Sequence, residues 1–297
     1  MSAEERNFRS IYYEKVGFKS VEEKKSLEML LKERPLDLTK LRQFCLRFTV
    51  PHAYRSYVWK LLLDVVPRLV HIHDFIMSQR KQEFDDLYRT LGVLRIPPDE
   101  KAPKSEKFMA MWLILTGNLT FNFNIGRNEH GLGFLAIVKC LLHYFDDDVD
   151  IFWIARRLCE NIMELKRDFP KLIDATHHLL EKENPQFYKI LMQNGLLEKL
   201  PLDQWFDCCF AGVLNENCII KIWDKICGGS YKILAYLATV TLTTLSHKIV
   251  NLSDANSITQ CIQNIPEETA DIIVNKTIDM WQHHGSPLTV HDRPKAI

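Results

Sequence analysis

The chain has 297 residues, 46% of them hydrophobic, enough to bury a large core in one domain or in two lobes sharing an interface. Lys plus Arg and Asp plus Glu both total 38, so the formal net charge is zero, and the overall field that recruits nucleic acid or anionic lipid is missing. The eight cysteines form no C-x-x-C pair and lie mostly in apolar stretches, which predicts buried thiols in a reducing compartment. With no cleavable apolar leader and no lipidation motif, a soluble cytoplasmic protein is expected.

In chain order, residues 1–19 are expected to form a segment that docks on the body through Phe8, Ile11, Tyr12 and Tyr13. Glu22 to Lys32 reads as a first helix with Leu27, Leu30 and Leu31 inward, ended by Pro35. Leu38 to Phe48 is a second, with Leu41, Phe44, Cys45 and Phe48 on one face. Pro51 opens a third, in which Tyr54, Val58, Leu61, Leu62 and Val65 line up. Residues 70–93 put charge on one side and Ile76, Phe84, Leu87 and Leu91 on the other, the pattern of a long surface helix.

Pro97 to Ser105 is a loop by its proline and charge content, followed by a short apolar helix over about 107–115. Thr116 to Gly133 is rich in Asn and Gly and reads as a loop. Helices are then expected at roughly 134–145, 149–166, 170–182 and 185–195, with another opened by Pro201 around Trp205. From Trp205 to Gly229, Ile219, Ile222, Trp223 and Ile226 share a helical face, capped by Asn215 or Asn217 and stopped by Gly228-Gly229. Ile233 to Leu245 is apolar nearly all round, so other helices must pack about it; at about 13 residues it is too short to span a bilayer, which takes roughly 20. The tail adds one helix from Ser253 and a last one from Pro266, with Ile273, Val274, Thr277, Ile278 and Trp281 inward. No β-alternation is sustained, so the chain reads as all-α. Residues 20–285 are expected to form a single domain and 286–297 a flexible tail.

Several aromatic signatures fall in a fixed order: Arg55-Ser-Tyr-Val-Trp59 after Val50-Pro51; Asp150-Ile-Phe-Trp153; Leu200-Pro201 with Trp205-Phe206 and Phe210; Ile222-Trp223-Asp224; and Gly229. Together, over roughly residues 20–285, they resemble the TBC domain, the helical module of Rab GTPase-activating proteins. That resemblance implies two all-helical lobes. It marks Arg55, Trp59, Trp153, Trp205, Trp223, Asp224 and Gly229 as signature positions with a structural role. The four tryptophans sit on or beside apolar helical faces and read as core anchors. Arg55 and Asp224, beside inward-facing aromatics, read as hydrogen-bonded or paired charges rather than catalytic ones.

GTP hydrolysis is accelerated by neutralising charge on the transferring phosphoryl group and orienting the attacking water; a supplied arginine finger is worth about 10³–10⁵ in rate. TBC enzymes resemble one another in supplying two fingers, an Arg from I-x-x-D-x-x-R and a Gln from Y-x-Q. The matching register here is Met109-Ala-Met-Trp112-Leu-Ile-Leu115, with Trp112 in place of the Asp and Leu115 in place of the Arg. No Gln stands between Phe121 and Phe134. Both fingers are therefore expected to be missing, no catalytic residue is assigned, and Arg127 and His130 in the loop read as solvated side chains. The paired histidines at 71/73, 177/178 and 283/284 lack zinc-site spacing, and Asp146–Asp148 reads as a solvated helix cap, so neither a metal nor a cofactor is expected.

The missing fingers and the stretch Arg6-Asn-Phe-Arg-Ser-Ile-Tyr-Tyr-Glu-Lys-Val-Gly-Phe18 resemble the small TBC type found in the tuberous sclerosis complex. This resemblance implies binding to the hamartin coiled coil and, through it, to tuberin. It further implies support of GTP hydrolysis on Rheb, restraint of TOR complex signalling, and recruitment to lysosomal or vesicle membranes by partners. The alternative is a Rab GTPase-activating protein with unconventional fingers. The face bearing Phe84, Tyr88 and Leu91 is a candidate contact for a coiled coil, weighed against a plain core role.

Overall fold

The computed structural model describes residues 21–96, 101–120, 129–252 and 254–284. Within them the chain is helical, and the only β feature is an isolated bridge between Ala211 and Leu214. The helices are α1 Val21–Lys32, α2 Leu38–Arg47, α3 His52–Leu62, α4 His73–Leu94, α5 Lys104–Leu115, α6 Glu129–Tyr144, α7 Asp148–Leu165 and α8 Phe169–Glu183. They continue as α9 Pro185–Gln193, α10 Leu202–Asp207, α11 Glu216–Cys227, α12 Ile233–Thr244, α13 Ser246–Ile249, α14 Ala255–Gln263 and α15 Glu267–His284.

Short polar side chains start these helices by accepting orphan backbone N–H groups. Asp37 accepts from Thr39 and Lys40 (3.0 and 3.1 Å), Asp147 from Asp150 (2.8 Å), Asn184 from Phe187 (3.1 Å) and Asp254 from Ser257 (2.9 Å). Of the two asparagines that could cap α11, Asn215 does so, accepting from Asn217 N at 2.9 Å. Beyond the end of α11, Gly229 sits at φ 104°, a backbone that only glycine adopts without strain.

Two packing groups emerge. The first runs from α1 to α7, with α4 against α5 and α7, α5 against α6, and α6 against α7. The second is built on α12, which packs against α8, α15 and α11 and is buried at every position from Ile233 to Leu242. Two of its threonines return their hydroxyls to the helix: Thr239 donates to the Ala235 carbonyl and Thr243 to that of Thr239, both at 2.9 Å, whereas the buried hydroxyls of Thr241 and Thr244 meet no partner among the described residues. Helix α11 joins the groups, touching α2, α3 and α6 on one side and α12 and α15 on the other.

Three expectations change. The Asn/Gly stretch does not stay a loop up to Gly133: α6 begins at Glu129 and takes both glycines into its first turns. They serve close packing there, since a Cβ on Gly131 would lie 2.2 Å from Met109 Cε and one on Gly133 2.9 Å from Asp207 Oδ2. The face of α4 considered for a coiled coil is mostly core: Phe84 and Leu91 are buried against the body, and only Tyr88 is exposed. Val65, placed on the third helix's inner face, is buried but lies beyond the end of α3. The expected roles of residues 1–19, of Arg127 and of 286–297 lie outside the described residues, as does the side chain of His130.

Candidate functional site

Three signature residues from distant parts of the chain, Arg55, Trp59 and Asp224, meet at one buried polar joint between α3 and α11. Asp224 is fully buried. One carboxylate oxygen accepts from Arg55 Nε and from Trp59 Nε1, both at 2.9 Å. The other accepts from the Val50 backbone N–H at 3.0 Å and from Arg55 Nη2 at 3.1 Å. The Arg55 guanidinium also donates to the Val50 carbonyl and to the Tyr144 hydroxyl, at the end of α6. Burial works against the Arg55 cation, but the Asp224 carboxylate and Tyr144 outweigh it, and its pKa lies above the ordinary arginine value.

Lys225, the next residue on α11, is buried as well and points the other way along the same strip of chain. Its ammonium donates to the carbonyls of Cys45 and Phe48 at 2.8 and 2.7 Å, groups the end of α2 leaves open. Asp224 and Lys225 thus grip the connection between α2 and α3 from both sides. No chemistry follows from this geometry, because every charged atom in it faces a fixed protein partner. It is a joint, and its charges are paired as buried charges must be.

The other signature tryptophans anchor the surrounding helices. Trp223 donates to the Cys209 carbonyl at 2.9 Å. That contact fixes a turn in which Cys209 and Phe210 both hold positive φ, 47° and 62°. Trp205 packs 5.5 Å from Phe210, centroid to centroid. Trp153 donates to the Arg80 carbonyl at 3.0 Å and lies under two guanidinium groups, Arg80 at 4.3 Å and Arg156 at 4.9 Å. Its neighbour in the motif, Asp150, pairs with Lys60 at 2.7 Å and accepts from Ser56 at 2.7 Å, tying α7 to α3.

Trp112 and Leu115 lie elsewhere, on α5. Trp112 is buried and stacked on Phe134 of α6, centroids 5.0 Å apart and planes 11° from parallel. Its indole N–H finds no hydrogen-bond partner among the described residues. Leu115 is half-buried against the core. Around Trp112 the inward side of α5 is apolar: Phe108, Met109, Met111 and Leu113 are all buried.

Reasoning from sequence did not single out Lys225, Tyr144 or Lys60. For Lys225 a signal existed: a lysine inside a helix otherwise apolar on most sides must find acceptors. For Tyr144 and Lys60 the signal is purely spatial. The buried thiols offer no nucleophile, since burial raises Cys45, Cys209 and Cys227 well above the ordinary thiol range and Cys208 to about 12. Among the described residues no group of His, Cys, Asp and Glu could hold a metal, and no helix is long and apolar enough to cross a membrane.

The Rab-GTPase-TBC domain model matches residues 130–250, from the start of α6 to just beyond α13. The chain is 40% identical over 286 residues to TBC1 domain family member 7 of Homo sapiens, covering 96% of this chain and 97% of that protein. It is 40% identical over 281 residues to the Xenopus tropicalis protein of the same name, covering 94% and 96%. Its structure is similar to the crystal structure of the Ypt/Rab-GAP domain of Gyp1p, with a TM-score of 0.62 over 89% of this chain and 98% of that one; at 15% identity this is a likeness of fold. With its signature tryptophans buried and its described residues helical, the chain belongs to the TBC-domain family of Rab-GAP-like proteins.

Proposed function

We propose that this chain is a non-catalytic TBC-domain scaffold and a subunit of the tuberous sclerosis complex. In this reading residues 20–285 form a single two-lobed domain that binds the hamartin coiled coil and, through it, tuberin. The assembled complex acts on Rheb and restrains TOR complex signalling. This subunit supplies surface rather than a catalytic side chain, and partners bring it from the cytoplasm to lysosomal or vesicle membranes.

The observation that carries the non-catalytic reading is the setting of Trp112. Where the family motif has its acid, an indole is buried flat against Phe134. Leu115, in the arginine's register, offers no charge to an oxyanion. The match in size and sequence to TBC1 domain family member 7 over nearly the whole chain supports the assignment within the family. For the partner, the outward side of α4 is the more suitable surface. It presents Phe75 at 64% and Val93 at 83% exposure, five turns apart on one face, with Gln79, Gln82 and the exposed Asp86–Arg89 ion pair between them.

A second reading, a Rab GTPase-activating protein with unconventional fingers, is favoured by the Rab-GTPase-TBC match and the Ypt/Rab-GAP fold. One experiment separates the two. Purified protein is run with a hamartin coiled coil on a sizing column, and is assayed in single turnover against a panel of GTP-loaded Rabs, beside Arg127→Ala. Co-elution with unchanged hydrolysis supports the scaffold. Stimulation above about tenfold that collapses in Arg127→Ala establishes the second reading.

A further inference from the structure

Between the start of α1, the end of α2 and the last turns of α15 lies a small pit of about 130 Å³. Its apolar walls are Phe48, which packs 5.1 Å from Phe44, and Ile278 of α15. The rest of its lining is polar and carries both signs of charge, Arg47 and Lys225 against Glu23 and Asp279, with Thr49 and the Gln282 amide beside them. We propose that this pit is the seat of the chain's own N-terminal segment, and that the ring of Tyr12 or Tyr13 enters it between Phe48 and Ile278. The proposal is independent of the activity and partner discussed above.

Three considerations select this occupant. The first is size. An apolar cavity of about 150 Å³ accommodates one benzene, so the pit holds one ring and not the row of anchors that a partner helix lays along a groove. The second is position. Glu23 stands two residues after the first described residue, Val21, so the first described turn of the chain lies at the rim. Tyr13 lies eight residues before Val21, a span of up to roughly 26 Å when extended, so the tether does not limit access.

The third is chemistry. Gln282 lies close to the chain's other end, but residues 285–297 contain no Phe, Tyr or Trp, whereas residues 1–20 hold Phe8, Tyr12, Tyr13 and Phe18. A tyrosine suits apolar walls below a polar rim, because its ring is buried while its hydroxyl reaches donors and acceptors at the edge. Seated there, the segment would clasp the first helix to the last beside the Cys45 and Phe48 carbonyls that Lys225 holds.

Hydrogen exchange followed by mass spectrometry on the full chain tests this. Tyr12→Ala/Tyr13→Ala is expected to speed exchange at least about threefold in peptides covering 45–50 and 276–284, and to leave those covering 104–115 unchanged. Tyr12→Phe/Tyr13→Phe is expected to keep most of the protection, since the ring remains. Unchanged exchange in the double alanine variant overturns the proposal. So does opening caused instead by removal of residues 286–297, or protection of these peptides that arises only when a hamartin coiled coil is added.

Discussion

Trp59 and Trp112 are buried to the same degree and live in opposite settings. The Trp59 indole donates to a carboxylate that also holds Arg55 and a backbone N–H, and every polar atom at that joint is paired. The Trp112 indole lies in an apolar layer with Phe134, its N–H unmatched among the described residues. The contrast separates two kinds of motif. Residues that resemble the family in identity are the ones on which the packing of α2, α3, α6 and α11 depends. Trp112 and its neighbours on α5 lie in a layer that shape and apolarity alone can fill.

The hardest test of that view is Asp224→Ala. It leaves the Arg55 cation buried without its counter-charge and strips acceptors from Trp59 and Val50. A loss of about 3–5 kcal/mol in urea unfolding is expected, a large share of a domain's total stability. Arg55→Met/Asp224→Leu is expected to recover part of that loss, because an uncompensated charge is worse than none. A single-variant loss below about 1 kcal/mol would mean that the joint is hydrated and that its pairing does not govern the fold.

Much of this architecture is legible in sequence, and the joint is not. Pattern locates α7 and α12 within a residue or two, because one apolar face marks the first and apolarity all round marks the second. It cannot say that Arg55 meets Asp224 across 169 residues of chain, since no local pattern encodes a distant partner. The start of α6 is hidden for another reason. Gly131 and Gly133 carry the usual mark of a loop, yet here the missing Cβ is what lets Met109 and Asp207 approach. The stacking of Trp112 on Phe134 and the half-burial of Leu115 against the core are likewise facts of the fold that no local pattern foretells.

That glycine contact supplies the second test. In Gly133→Ala the new Cβ would meet Asp207 Oδ2 at 2.9 Å and the Asp207 carbonyl oxygen at 3.1 Å. The carboxylate cannot swing away freely, as Lys166 holds its other oxygen at 2.7 Å. A loss of about 1–3 kcal/mol is expected in thermal or urea unfolding, even though alanine is the better helix former. Stabilisation by this substitution would show that α6 shifts easily and is not fixed by its neighbours. Lys225→Met belongs in the same range. It keeps the stem but leaves the Cys45 and Phe48 carbonyls without their donor, an expected cost of about 1–3 kcal/mol by the same measurement.

The smallest expected effect is also the sharpest comparison. Trp112→Phe and Trp59→Phe delete nearly the same volume from sites of equal burial, so the packing loss is shared between them. What differs is the N–H. At Trp59 its removal withdraws a donor from a buried carboxylate; at Trp112 it removes a polar group that burial only penalises. Trp112→Phe should therefore cost about 1 kcal/mol or less, with the saved desolvation offsetting much of the lost contact. Trp59→Phe should cost about 1.5–3 kcal/mol more, the range for hydrogen bonds to charged groups. Measured side by side in urea, equal losses would erase the distinction between joint and layer. A gap of the expected size would assign it to one hydrogen bond rather than to the ring.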